Sequence, residues 1–103
     1  MIRVTVSYPA GEGKTFDHAY YQEKHRSLIQ SQMTAHGLVR VEMDRCLSDA
    51  AGNAPRILAA AHMLFASIDD FKKAMGAAGK TVTADIANYT DIVPDILISE
   101  TSA

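Results

Sequence analysis

The sequence predicts an α+β fold in the order βαββαβ, a four-stranded antiparallel sheet with both helices on one face. Three observations carry that prediction. Residues 2–8 and 39–44 alternate apolar with polar side chains, the period-two pattern of a strand with two unlike faces. Residues 57–65 are apolar throughout except His62, which fits a central strand covered on both sides. Two stretches with helical spacing, each opened by a capping residue, separate these strands, and strand–helix–strand repeated twice gives a split βαβ sheet.

The elements follow in order. Ile2, Val4, Val6 and Tyr8 alternate with Arg3, Thr5 and Ser7, and Pro9, Gly11 and Gly13 then break the chain into a loop. Gly11 to Thr15 superficially resembles the end of a phosphate-binding loop. The full motif needs a glycine where Tyr8 stands, so this stretch is read as a connection. Asp17 is placed to cap a helix over residues 17–36, with Phe16 and Tyr21 spaced as a hydrophobic staple. Tyr21, Leu28 and Ile29 form its apolar stripe, with His25 in the middle, and Gly37 suits the left-handed residue after it. Val39, Val41 and Met43 alternate with Arg40, Glu42 and Asp44, and residues 48–55 read as a loop. Ser67, with Asp70 three positions on, caps a second helix carried by Phe71, Met75 and Ala78 and stopped by Gly79. A short helical turn is expected in residues 80–88 and a last strand in 92–98, where Pro94 marks an edge position or a bulge.

This is a ferredoxin-like arrangement, expected as one domain over residues 1–103. One face gathers Ile2, Val4, Val6, Tyr8, Val39, Val41, Met43, the odd-numbered residues of 57–65, Ile92, Ile96 and Ile98, and belongs under the helices. The other gathers Arg3, Thr5, Ser7, Leu58, Ala60, His62, Leu64, Val93 and Leu97, too apolar for an exposed face and too polar for a core. Two such sheets packed face to face would cover it, so a homodimer is expected, with a cavity on the helix-free side.

A net charge of −2 from 10 basic and 12 acidic residues argues against nucleic acid or an anionic membrane as partner. No apolar run approaches the roughly 18 residues of a membrane span, and the start lacks a signal-peptide core, so a soluble cytoplasmic protein is expected. Cys46 is the single cysteine, which excludes an internal disulfide and a thiolate metal cluster.

His25 is the sharpest chemical candidate. It lies one turn after Tyr21, so phenol and imidazole are neighbours, and imidazole suits acid–base work near neutrality. A helix histidine bonded to a backbone carbonyl is the competing reading. His62 has the same ambiguity as the lone polar side chain of its strand. His18 and His36, at the ends of the first helix, read as solvated. No His-x3-His or Glu-x-x-His pair offers a metal site, no nucleotide fingerprint suits flavin or nicotinamide, and no cofactor is expected; a haem held by one axial histidine stays open.

The stretch Met1-Ile2-Arg3-Val4-Thr5-Val6-Ser7-Tyr8-Pro9, with Phe16-Asp17, Tyr20-Tyr21, His25 and Leu28, resembles the EthD family. So do Ala61-His62-Met63-Leu64-Phe65 before a Ser-x-x-Asp-Phe helix start, and Asp85-Ile86-Ala87-Asn88-Tyr89-Thr90-Asp91. Ser27 stands where the family's His-x-Pro-Leu pattern has proline, and Ala87 replaces another proline before Asn88. The resemblance implies a dimeric α+β barrel and a role performing or assisting oxidative degradation of an organic molecule, linked to an oxygenase system as in ether degradation. On that reading His25 is acid or base with Tyr21 orienting it. His62, Asn88 and Tyr89 bond a polar end of a hydrophobic or aromatic ligand, and Arg3 holds a carboxylate or enolate. A non-catalytic binding accessory, or a cofactor-free isomerase or decarboxylase using His25, is the alternative.

Overall fold

In the computed structural model, which describes residues 1–102, β1 (Ile2–Pro9) lies between β3 (Ile57–Phe65) and β4 (Asp95–Glu100). β2 (Leu38–Arg45) pairs outside β3, giving the order β2-β3-β1-β4 with every pair antiparallel. The predicted ferredoxin-like sheet is present. Its helix-side residues Val4, Tyr8 and Phe65 pack with Tyr21, Ile29 and Met33 to form the centre of the core.

Asp17 caps the first helical segment, its carboxylate accepting from the Tyr20 N–H at 3.1 Å, and the Phe16 and Tyr21 rings meet at 5.0 Å. The predicted single helix follows one path through four pieces. They are α1 (His18–Tyr20), a π turn (Tyr21–His25), α2 (Arg26–Met33) and a 3-10 turn (Thr34–His36). In the π turn the Arg26 N–H reaches back five residues to the Tyr21 carbonyl, a wide turn of the kind found at functional sites.

Gly37 ends the segment at φ +97°, and a Cβ there would lie 3.0 Å from the Asp70 side chain. Both constraints oppose any other residue. Gly37→Ala is expected to cost about 1–2 kcal/mol, lowering Tm by roughly 4–8 °C per kcal/mol. An unchanged Tm would contradict the left-handed assignment.

Three expectations are corrected. First, Gly79 does not stop the second helix: α3 runs Ile68–Asp85, capped by Ser67, and a 3-10 turn (Ile86–Asn88) follows. Gly79 is buried beside the Met75 side chain, on a face with Ala74 and Ala78, so packing overrides the ~1 kcal/mol cost of a helical glycine. Second, an irregularity between Leu38 and Arg40 turns Leu38 into the core and leaves Val39 55% exposed. Third, the last strand begins after Pro94, at Asp95. Ile96 and Ile98 sit opposite Val6 and Val4 on the helix side but stay 59% and 43% exposed, because the helices pack over β2 and β3.

On the helix-free face, Thr5 stands opposite both His62 and Leu97, and Ser7 opposite Ala60. Val93 does not join that face; it precedes β4 and borders the space under the helices. No helix among the described residues is long and apolar enough to cross a membrane.

Candidate active site

An apolar cavity of about 280 Å³ lies between the sheet and the helices. This cavity lies on the helix side of the sheet, the face opposite the one where the sequence predicts a pocket. The reason is side-chain volume. Val6 and Ala61 sit opposite each other in the sheet, and these small residues leave room beneath α2 and the second half of α3. The helix-free face carries an open, polar depression around Arg3, Glu42, Asp44 and His62. Among described residues the cavity wall carries just three polar side chains: Tyr8, His25 and Thr83.

His25 is 3% exposed, and its Nδ1 lies 2.9 Å from the Asp85 Oδ2. Asp85 Oδ1 accepts from the Tyr20 hydroxyl at 2.6 Å and from the Asn88 amide at 3.0 Å. On the other side, His25 Nε2 is 3.3 Å from the Tyr89 hydroxyl, which is 2.5 Å from the Tyr8 hydroxyl. The Tyr21 ring stacks on the imidazole, centroids 5.7 Å apart and planes 15° from parallel. The π turn is the local cause, since it carries both residues.

Burial holds the His25 imidazole below its ordinary pKa, with Asp85 pulling the other way and not winning. For Asp85, burial works to raise the pKa, but hydrogen bonds from Tyr20, Asn88 and His25 outweigh it and hold the carboxyl below the usual range. Burial pushes the Tyr8, Tyr21 and Tyr89 phenols up. At neutral pH an ionised carboxylate thus faces a neutral imidazole. The carboxylate can only accept, so His25 donates from Nδ1 and keeps Nε2 as the basic atom.

Both lowered pKa values make the unfolded chain bind protons first, so stability falls as pH falls. The His25 contribution is complete above about pH 6.5, the ordinary histidine value, and is lost below it. The Asp85 contribution is lost as pH drops through and below about 4. His18, also lowered by burial and by Arg45, adds to the upper step. Expected is a Tm that declines from pH 7 to pH 5, less steeply in His25→Gln. Equal slopes in the two proteins would contradict a buried neutral His25.

The structure brings His25, Tyr21 and Tyr89 together. Asn88 is exposed and bonds Asp85 without bordering the cavity. Arg3 and His62 stand on the opposite face, where His62 Nε2 lies 2.8 Å from Asp44 Oδ2 and its Nδ1 3.3 Å from Thr5 Oγ1. Sequence reasoning missed Asp85, Tyr20 and Tyr8. Helical spacing past Gly79 was the available signal for Asp85. Among the described residues no group of three or more His, Cys, Asp or Glu side chains gathers to hold a metal. Both ring nitrogens of His25 already have partners in the protein, so a haem ligand would have to break one of those bonds.

The model of the EthD domain matches residues 10–92. The chain belongs to the EthD family. It is similar to an EthD-like protein from Ralstonia eutropha JMP134, at 35% identity and TM-score 0.90, covering 99% of this chain and 92% of that one. An EthD family protein from Bacillus halodurans C-125 shares 18% identity at TM-score 0.77, covering 98% of both chains. SnoaB, a cofactor-independent oxygenase from Streptomyces nogalater, shares the fold at 11% identity and TM-score 0.57, over 99% of this chain and 92% of that one. No curated protein matches. Of the EthD residues described above, His25, Asp85 and Tyr89 fall inside the matched segment, and Tyr8 precedes it.

Proposed function

We propose that this EthD protein binds a compact, largely apolar organic molecule in the helix-side cavity and moves a proton at its polar end. That step would perform or serve the oxidative, oxygenase-linked degradation of the molecule. The observation that carries the reading is a carboxylate-backed histidine in the wall of an apolar cavity. The volume is at the small end of ligand sites, which suits one aromatic ring or a branched chain of similar bulk. The cofactor-free oxygenation named for SnoaB supports the oxygenase link through a shared fold alone. A non-catalytic carrier is the second reading, favoured by one fact: both His25 nitrogens are satisfied within the protein.

The helix-free face, with Leu97 exposed beside Thr5 and His62, supports assembly as a homodimer. Sedimentation at micromolar concentration checks it, and a monomer there would remove that part. The binding site is tested by titrating small aromatic compounds into isotope-labelled protein. Shifts are expected at Ala61, Met63 and Val82. Shifts confined to Arg3, Thr5 and His62 would move the site to the other face and sink the proposal.

A further inference from the structure

We infer that the polar end of the cavity accepts a hydrogen bond, at the Tyr8 hydroxyl oxygen, so that the ligand presents an O–H or N–H there. This rests on the cavity being the binding site and narrows what the site takes.

The argument is a count of protons along one chain of contacts. Asp85 has none to give and accepts from Tyr20, Asn88 and His25. His25 spends its single N–H on Asp85, so Nε2 must accept, and its partner is the Tyr89 hydroxyl. Tyr89 therefore spends its proton on His25. The Tyr8 hydroxyl, 2.5 Å away, must then donate to the Tyr89 oxygen. Tyr8 is left with an oxygen lone pair and no proton for a ligand. Tyr8 borders the cavity, whereas His25, which also borders it, has both nitrogens engaged. The third polar group, Thr83, is exposed, as are Val93 and Ile96 in the same lining, whereas Tyr8 is buried. A bare carbonyl or carboxylate would meet the Tyr8 lone pair with its own.

The same chain can carry a proton. The ligand O–H proton moves to Tyr8, the Tyr8 proton to Tyr89, and the Tyr89 proton to His25 Nε2. Three O–H bonds break while two O–H bonds and one N–H bond form. The imidazolium rests against Asp85, the phenols end neutral, and the ligand anion is left facing the new Tyr8 O–H. No co-reactant is needed.

Two measurements test this. Nitrogen-15 spectra of the unliganded protein are expected to show His25 protonated on Nδ1 and bare on Nε2; the reverse tautomer would overturn the inference. In titrations, p-cresol is expected to bind about tenfold or more tightly than 4-methylanisole, its O-methylated counterpart. That preference is expected to vanish in Tyr8→Phe. Equal binding of the two probes, or a preference that survives in Tyr8→Phe, overturns the inference and leaves the cavity reading standing. If neither probe binds at millimolar concentration, both fall. Should Tyr8→Phe fail to fold, the tautomer and the preference in the unmodified protein still decide.

Discussion

Asp85→Asn is expected to slow hydrogen–deuterium exchange at the central carbon of a bound cyclic 1,3-diketone, whose enol form presents its O–H to Tyr8, by about 10²–10⁴-fold. Ligand affinity should stay within a few-fold, because Asp85 does not border the cavity. The asparagine keeps the shape but changes the proton count. Its amide can donate to Nδ1, which forces the imidazole proton onto Nε2, the atom that must act as base. A comparable swap in the serine-protease triad leaves the geometry intact and costs about 10⁴ for the same tautomeric reason. His25→Ala is expected to lose as much. Wild-type exchange rates in both variants would remove the acid–base role and leave the carrier reading.

The largest stability effect is expected at Tyr89. Its ring lies against those of Tyr8, Phe16, Tyr20, Tyr21 and His25, with centroids 4.7 to 6.0 Å away, and its backbone carbonyl accepts from the Asp17 N–H at 2.8 Å. Tyr89→Ala would empty the middle of this cluster and is expected to cost about 3–5 kcal/mol. Small domains hold only about 5–15 kcal/mol in total, so denaturant unfolding should show a much weakened protein. Tyr89→Phe keeps the ring and strands two hydroxyl-bonded groups, His25 Nε2 and the Tyr8 O–H, at about 1–3 kcal/mol. If the two variants unfold alike, ring packing is not what Tyr89 contributes.

The sheet and both helix starts were legible in the sequence because each rests on local chemistry. Alternation sorted Val4 and Tyr8 from Thr5 and Ser7, and Asp17 and Ser67 announced the helix N-termini through their own side chains. His25 was legible as one polar residue in an apolar stripe. Asp85 was not, because Gly79 reads as a stop and only tertiary packing carries the helix past it. Tyr8 was legible as core, which it is, but nothing in a chain distinguishes a buried phenol that packs from one that also relays. The side of the sheet that holds the cavity depends on which small residues face each other. Val6 meets Ala61 only once β1 and β3 have paired in register. Strand parity places Arg3 and His62 on the helix-free face in the sequence as in the structure, but alternation does not show that room also opens on the helix side.

The π turn at Tyr21–His25 adds one residue to a turn, and in an α-helix one residue is worth about 100° of rotation. The segment before it, stapled to Phe16, and the segment after it, buried through Ile29 and Met33, are thus phased independently. Removing a residue from the turn would let the backbone relax into plain α-helix, and the two phases would merge. Ile29 and Met33 could keep their places only by swinging the aromatic half of the helix away from the cap. The extra residue therefore acts as a phase adjuster, setting the angle between an aliphatic face and an aromatic one within a single helical path.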